Sequence, residues 1–175
     1  MRHGVGKMTY ANGNVYEGEF FNDQLTGTGV FTYQSGDRYE GELLNGERHG
    51  KGTYTWTDDT GLSSYTGDFK NNLKDGEGTY IWGDGAEYVG TFVNNVKNGK
   101  GTYVFANGDR YEGDFVDDKR TGYGTYVWAN GDRYEGEFEN NTLSGKGVYT
   151  WASGRKYEGY FKANAIEIVE EEEAA

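Results

Sequence analysis

The chain has no cysteine, no proline, only two histidines in 175 residues, and no long apolar run. Without Cys there can be no disulfide framework, thiolate metal site or Cys nucleophile, and nothing marks an oxidising compartment. The lack of Pro excludes collagen, which needs it in abundance with a strict three-residue period. Gly nevertheless supplies 30 residues, about 17% against roughly 7% in ordinary proteins. No stretch approaches the roughly 18 apolar residues of a membrane span, and Met1 to Tyr10 has no signal-peptide apolar segment. The chain therefore reads as soluble and cytoplasmic. Apolar residues are 34%, too few for a thick two-layer core, yet aromatic residues are 17%, far above a disordered composition. The glycines must then have a structural job.

Seventeen Lys and Arg stand against 29 Asp and Glu, a formal charge of −12. A net-acidic surface repels phosphate backbones and anionic headgroups, which excludes nucleic acid and disfavours membrane phosphoinositide as partners.

What the sequence does have is a repeat. The segment Tyr16-Glu17-Gly18-Glu19-Phe20 recurs from Tyr39, Tyr65, Tyr88, Tyr111, Tyr134 and Tyr157. A second element, Gly-x-Gly followed by small-aromatic-x-aromatic, begins at Gly4, Gly27, Gly50, Gly76, Gly99, Gly122 and Gly145. The step is 23 residues except for one of 26, which places a three-residue insertion in the turn from Thr57 to Ser64. Each element alternates at period two in an aromatic, Thr-rich run bounded by turns such as Asn107-Gly108, the signature of a strand. Seven repeats of two strands predict an antiparallel meander of fourteen, on the order of 65 Å across at about 4.8 Å per strand, a rod.

Alternation sorts the faces. In Tyr39-Glu40-Gly41-Glu42-Leu43 one face receives Tyr, Gly and Leu while the other receives both Glu. Pairing Ile81 with Val89 across the Gly83 to Glu87 turn sets Gly78 opposite Phe92, Tyr80 opposite Gly90 and Trp82 opposite Tyr88. In this register every second ring lies over a glycine, which explains the glycine content.

These motifs resemble the MORN repeat (membrane occupation and recognition nexus), whose unit of about 23 residues runs Tyr-Glu-Gly-Glu-aromatic, an Asn-Gly-rich loop, His-Gly-x-Gly and an aromatic strand. The resemblance covers Met1 to Phe161. Only His3 and His49 keep the loop His, and Thr26, Asp75, Asn98, Thr121 and Ser144 stand elsewhere, so His carries no shared chemistry. The resemblance implies an all-β, single-layer sheet of tandem hairpins and a noncatalytic scaffold that binds a protein partner or self-associates. Some members are linked to phosphoinositide or membrane targeting, and the expected location is the cytoplasm with membrane or cytoskeleton association as the alternative. The expected organisation is a repeat domain over 1–161 and an acidic tail over 162–175. Met1 to Gly4 begins inside a repeat loop, which points to a piece of a longer protein.

Two His, no Cys and no isolated carboxylate pair assemble no nucleophile, base and orienter, so no enzyme and no cofactor are expected. Asp58-Asp59 and Asp117-Asp118 lack the spacing of a calcium loop and read as solvated turns, leaving no metal site. Lys7, Lys51, Lys100 and Lys146 form a diluted basic edge, read as strand-end solubility. The exposed part of the aromatic face is the candidate for a protein or peptide partner. There Tyr80, Tyr103 and Tyr126 are expected to pack on glycines. Trp56, Tyr65, Trp82, Tyr88, Phe105, Tyr111, Trp128, Tyr134, Trp151 and Tyr157 are expected nearer the turns and in contact with the partner. Ile81, Val89 and Val104 would adjoin on the charged face as a second, smaller docking or dimer patch. Ala163 to Ala175 is expected as a short helix or extended strip whose Ile166, Ile168 and Val169 cover Tyr160 and cap the open edge.

Overall fold

The structure, a computed structural model, describes residues 1–168. Fifteen strands follow one another in chain order in a single open antiparallel sheet, and no helix occurs among the described residues. By compactness the chain divides into two units, Met1–Val96 and Lys97 onward. The first holds β1 (Gly4–Thr9), β2 (Val15–Phe21), β3 (Gln24–Thr32), β4 (Arg38–Leu44), β5 (Glu47–Asp58), β6 (Gly61–Lys70), β7 (Leu73–Ile81) and β8 (Glu87–Val93). The second holds β9 (Val96–Val104), β10 (Arg110–Val116), β11 (Lys119–Val127), β12 (Arg133–Glu139), β13 (Thr142–Thr150), β14 (Lys156–Lys162) and β15 (Ala165–Glu167).

Two kinds of turn build each unit. After β7 the Trp82 carbonyl accepts from Gly85 N at 2.9 Å, and Trp82 N donates to the Ala86 carbonyl at 2.9 Å. The loop is therefore three residues, with Gly85 at φ +88°, the left-handed place that Gly fills in such hairpins. It sets Ile81 opposite Glu87, Tyr80 opposite Tyr88, Gly78 opposite Gly90 and Gly76 opposite Phe92. The expected pairing of Ile81 with Val89 and of Tyr80 with Gly90 is thus off by two residues, because the hydrogen bonds close at Ala86 rather than beyond Glu87. An error of two preserves the faces, since the side-chain period is also two. Turns of the second kind have two residues, both left-handed, among them Asn45-Gly46, Asn71-Asn72, Asn94-Asn95, Asp117-Asp118 and Asn140-Asn141. Asn and Asp are the non-glycine residues that tolerate this conformation best.

Register slips once in five of the two-residue hairpins, for example between Gly41 and Leu43 on β4. The amide freed at the bulge is taken by the second acidic residue of the Tyr-Glu-Gly-Glu motif: Lys51 N donates to Glu42 at 2.9 Å, Thr28 N to Glu19 at 2.9 Å and Glu77 N to Asp68 at 3.0 Å. These carboxylates are bulge caps as well as surface charges.

The core lies on one face. Tyr16, Tyr39, Tyr65, Tyr88, Tyr111 and Tyr134 are at most 1% exposed. The rings of Tyr16, Tyr39, Tyr65, Tyr111 and Tyr134 do lie over glycines, but diagonally. In the first unit Gly41 opposes Gly52, and a Cβ on Gly52 would stand 2.7 Å from Tyr39 Cζ. In the second, Gly113 opposes Gly124, and a Cβ on Gly124 would stand 2.7 Å from Tyr111 Cε2. Each ring then meets phenylalanines edge-on: Tyr65 lies 5.1 Å from Phe69 and 5.2 Å from Phe92, and Tyr111 lies 5.2 Å from Phe115 and 4.9 Å from Phe138. Each hydroxyl donates to the carbonyl three residues on, as Tyr39 does to Glu42 at 2.7 Å and Tyr134 to Glu137 at 2.9 Å. Burial holds the Tyr39 and Tyr134 phenols up at about 12.

At the C-terminal end an extended strip, not a helix, follows the last repeat. In β15, Ile166 stands opposite Phe161 and Glu167 opposite Tyr160. This strand covers the edge of β14, but Tyr160 stays 40% exposed and Ile168 85% exposed, so among the described residues Tyr160 is not covered. Val169 and the Glu170 to Glu173 run lie outside the described residues.

Candidate partner-binding groove

On the ring face of the first unit, a second aromatic tier stands beside the buried tyrosines. Trp56 stacks on Tyr54 at 5.4 Å and meets Tyr80 edge-on at 5.2 Å, and Tyr80 lies 4.1 Å from Trp82. All four are half-buried. Tyr54 and Trp56 line a cavity of about 270 Å³ whose walls also include Arg48, Phe69 and Lys74. The Arg48 guanidinium lies 4.8 Å above Tyr54 and 5.5 Å above Phe69, and the Lys74 ammonium 4.5 Å above Tyr80.

Local folding explains why these cations sit there. In four of the two-residue turns the second residue, Asn72, Asn95, Asp118 or Asn141, reaches back one repeat and clasps the backbone of the cationic residue. Asn72 N donates to the Arg48 carbonyl at 3.0 Å while Arg48 N donates to Asn72 Oδ1 at 2.9 Å. Asn95 does the same for Lys74 at 2.8 Å each way. The Tyr54 hydroxyl donates to Asp37 at 2.8 Å, and burial together with that carboxylate pushes the phenol upward.

The second unit repeats the pattern. Arg120 lies 5.2 Å above Tyr126, is clasped by Asn141, and walls a cavity of about 370 Å³ with Trp128, Phe138, Leu143 and Tyr149. Asp109 accepts from the Tyr126 hydroxyl at 2.7 Å and from Ala129 N at 2.9 Å. Burial opposes its charge, but these hydrogen bonds prevail and hold the carboxyl below its usual range.

The predicted contact residues divide accordingly. Trp56, Trp82, Phe105, Trp128 and Trp151 are half-buried on the ring face, and so is Tyr157. Tyr65, Tyr88, Tyr111 and Tyr134 are core residues, and the register lays the rings of Tyr65, Tyr111 and Tyr134 over opposed glycines. Partner contact by their side chains is therefore withdrawn. On the other face Val89 stands opposite Thr79, Ile81 opposite Glu87 and, in the second unit, Val104 opposite Arg110, so Ile81 and Val89 do not pair directly. Ile81 and Val89 are 43% and 46% exposed and only diagonal neighbours. The basic edge is largely ion-paired, Lys7 with Glu17, Lys51 with Asp68 and Lys100 with Asp114. Among the described residues no group of acidic or His side chains could hold a metal ion. Asp58 in the inserted turn instead accepts from Trp56 Nε1 at 2.9 Å and from Thr60 N at 2.8 Å.

Sequence reasoning missed the cations. Their signal was present, because Arg48, Lys74, Lys97 and Arg120 recur at the repeat step while Leu25 and Leu143 hold the same place in flanking repeats.

The MORN repeat family model matches residues 1–15, 16–38, 39–61, 65–87, 88–110, 111–133 and 134–154, leaving out 62–64 within the inserted turn. This chain belongs to the MORN repeat family. No curated protein matches it in sequence. Among solved structures it is similar to the TCP domain of SAS-4 (dCPAP) of Drosophila melanogaster, in complex with a proline-rich motif of Ana2 (dSTIL). The identity is 19%, the TM-score 0.55, and the match spans 91% of this MORN chain and 85% of that one. The TCP10 domain of Danio rerio CPAP, in complex with a STIL peptide, matches at 15% identity and TM-score 0.29 over 91% and 81%. The first likeness is one of fold, and the second carries no structural argument.

Proposed function

We propose that this MORN protein is a noncatalytic scaffold that takes an extended segment of a partner protein along the ring face of its repeats. The observation that carries the reading is the half-buried tier of Trp56, Tyr80, Trp82 and Trp128 beside ring-capping cations, on a sheet that no second layer among the described residues covers. Family membership and the fold likeness to a domain solved with a proline-rich motif support it. Carboxylate pairing of Lys7, Lys51 and Lys100 weighs against a phosphoinositide site on the opposite face. Random peptides of about twelve residues, an extended length, panned on the full chain test the reading. Selected peptides should lose about tenfold or more in affinity for Trp82→Ala/Trp128→Ala, the scale of an aromatic hot spot. Retention of full affinity would overturn it.

A further inference from the structure

The cavity in the first unit is not simply apolar. Arg48 and Lys74 share its wall, whereas in the equivalent cavity of the second unit the matching positions are Arg120 and Leu143. Arg48 makes no salt bridge among the described residues. Its Nη2 donates to the Asn72 carbonyl at 2.9 Å, and its buried Nε has no acceptor. The cavity's own carboxylate, Asp37, is engaged by the Tyr54 hydroxyl. On a chain of formal charge −12, two cations against the one wall carboxylate, Asp37, give this cavity a net positive lining.

We infer that this cavity is a subsite for a carboxylate side chain, Glu or Asp, of the partner segment, seated between Arg48 and Lys74 with the neighbouring partner residue against Trp56. The inference rests on the ring-face reading above and adds the partner's chemistry and register. Guanidinium and ammonium groups pre-placed on rings donate to a carboxylate at little ordering cost, and hydrogen bonds to charged groups are stronger than neutral ones. The acidic remainder of the surface repels the same carboxylate elsewhere, so the subsite selects where along the repeats the segment sits.

The test uses the full chain and the panned peptides, each synthesised with its Glu and Asp intact and with each changed to Gln or Asn. Intact peptides should bind at least about tenfold tighter than their neutral counterparts. Lys74→Leu, which installs the residue the chain itself uses at 25 and 143, should remove most of that preference, and Arg48→Leu should do the same. Peptides that need Trp82 and Trp128 but ignore both their own carboxylates and Lys74→Leu would overturn the subsite and leave the scaffold reading standing. A library yielding no binder would overturn both.

Discussion

At the residue scale, one side chain does three things. Tyr39 is fully buried, fills the space over Gly52, and donates to the Glu42 carbonyl at the bulge. Removing only the hydroxyl separates these roles, because the ring still packs while a buried carbonyl loses its donor. Tyr39→Phe should lower unfolding free energy by about 1–2 kcal/mol in urea titration. An unchanged midpoint would mean that water or backbone movement satisfies Glu42. The same register explains why the roles of the tyrosines were inverted at the sequence level. Tyr65 and Tyr80 are both strand tyrosines on the same face, and only the exact pairing decides which one lands on glycine.

At the element scale, the two-residue turns are joints between repeats as well as reversals. Asn141 adopts φ +74° and accepts from Arg120 N at 2.8 Å, so its side chain both tolerates the turn and holds the preceding repeat. Asn141→Ala should cost about 2 kcal/mol, part from left-handed strain and part from the lost hydrogen bond. Asn141→Gly, which relieves the strain, should recover about half of it. Equal losses for the two, measured by denaturant midpoint, would contradict this division. Strand order, face assignment and the site of the three-residue insertion were legible, because alternation and repeat spacing are direct consequences of the pleat and of stacking. Register was not legible, because a loop such as Gly83-Asp84-Gly85 closes through backbone hydrogen bonds that residue identities alone do not distinguish from a longer turn. Nor was the strand β15 distinguished from a short helix, since three residues carry no periodicity.

At the scale of the whole molecule, the low apolar content and the glycine content have one cause. A single sheet needs only one apolar face, and opposed glycines let buried tyrosines lie flat on it. The second aromatic tier and its cations are what remains once that core is complete. They were partly legible: Trp56, Trp82 and Trp128 were expected at the surface of this face, while Arg48, Lys74 and Arg120 were missed, because the clasping turns that place them over rings follow from the register. The central claim is that this tier is the binding surface. The most direct measurement is mapping of amide and side-chain NMR shifts in the full chain on titration with a panned peptide. The account predicts the largest changes at the Trp56, Trp82 and Trp128 indoles and at Tyr54 and Tyr80. Changes confined to the Glu and Thr face, or to β1 and β15 at the sheet edges, would contradict it.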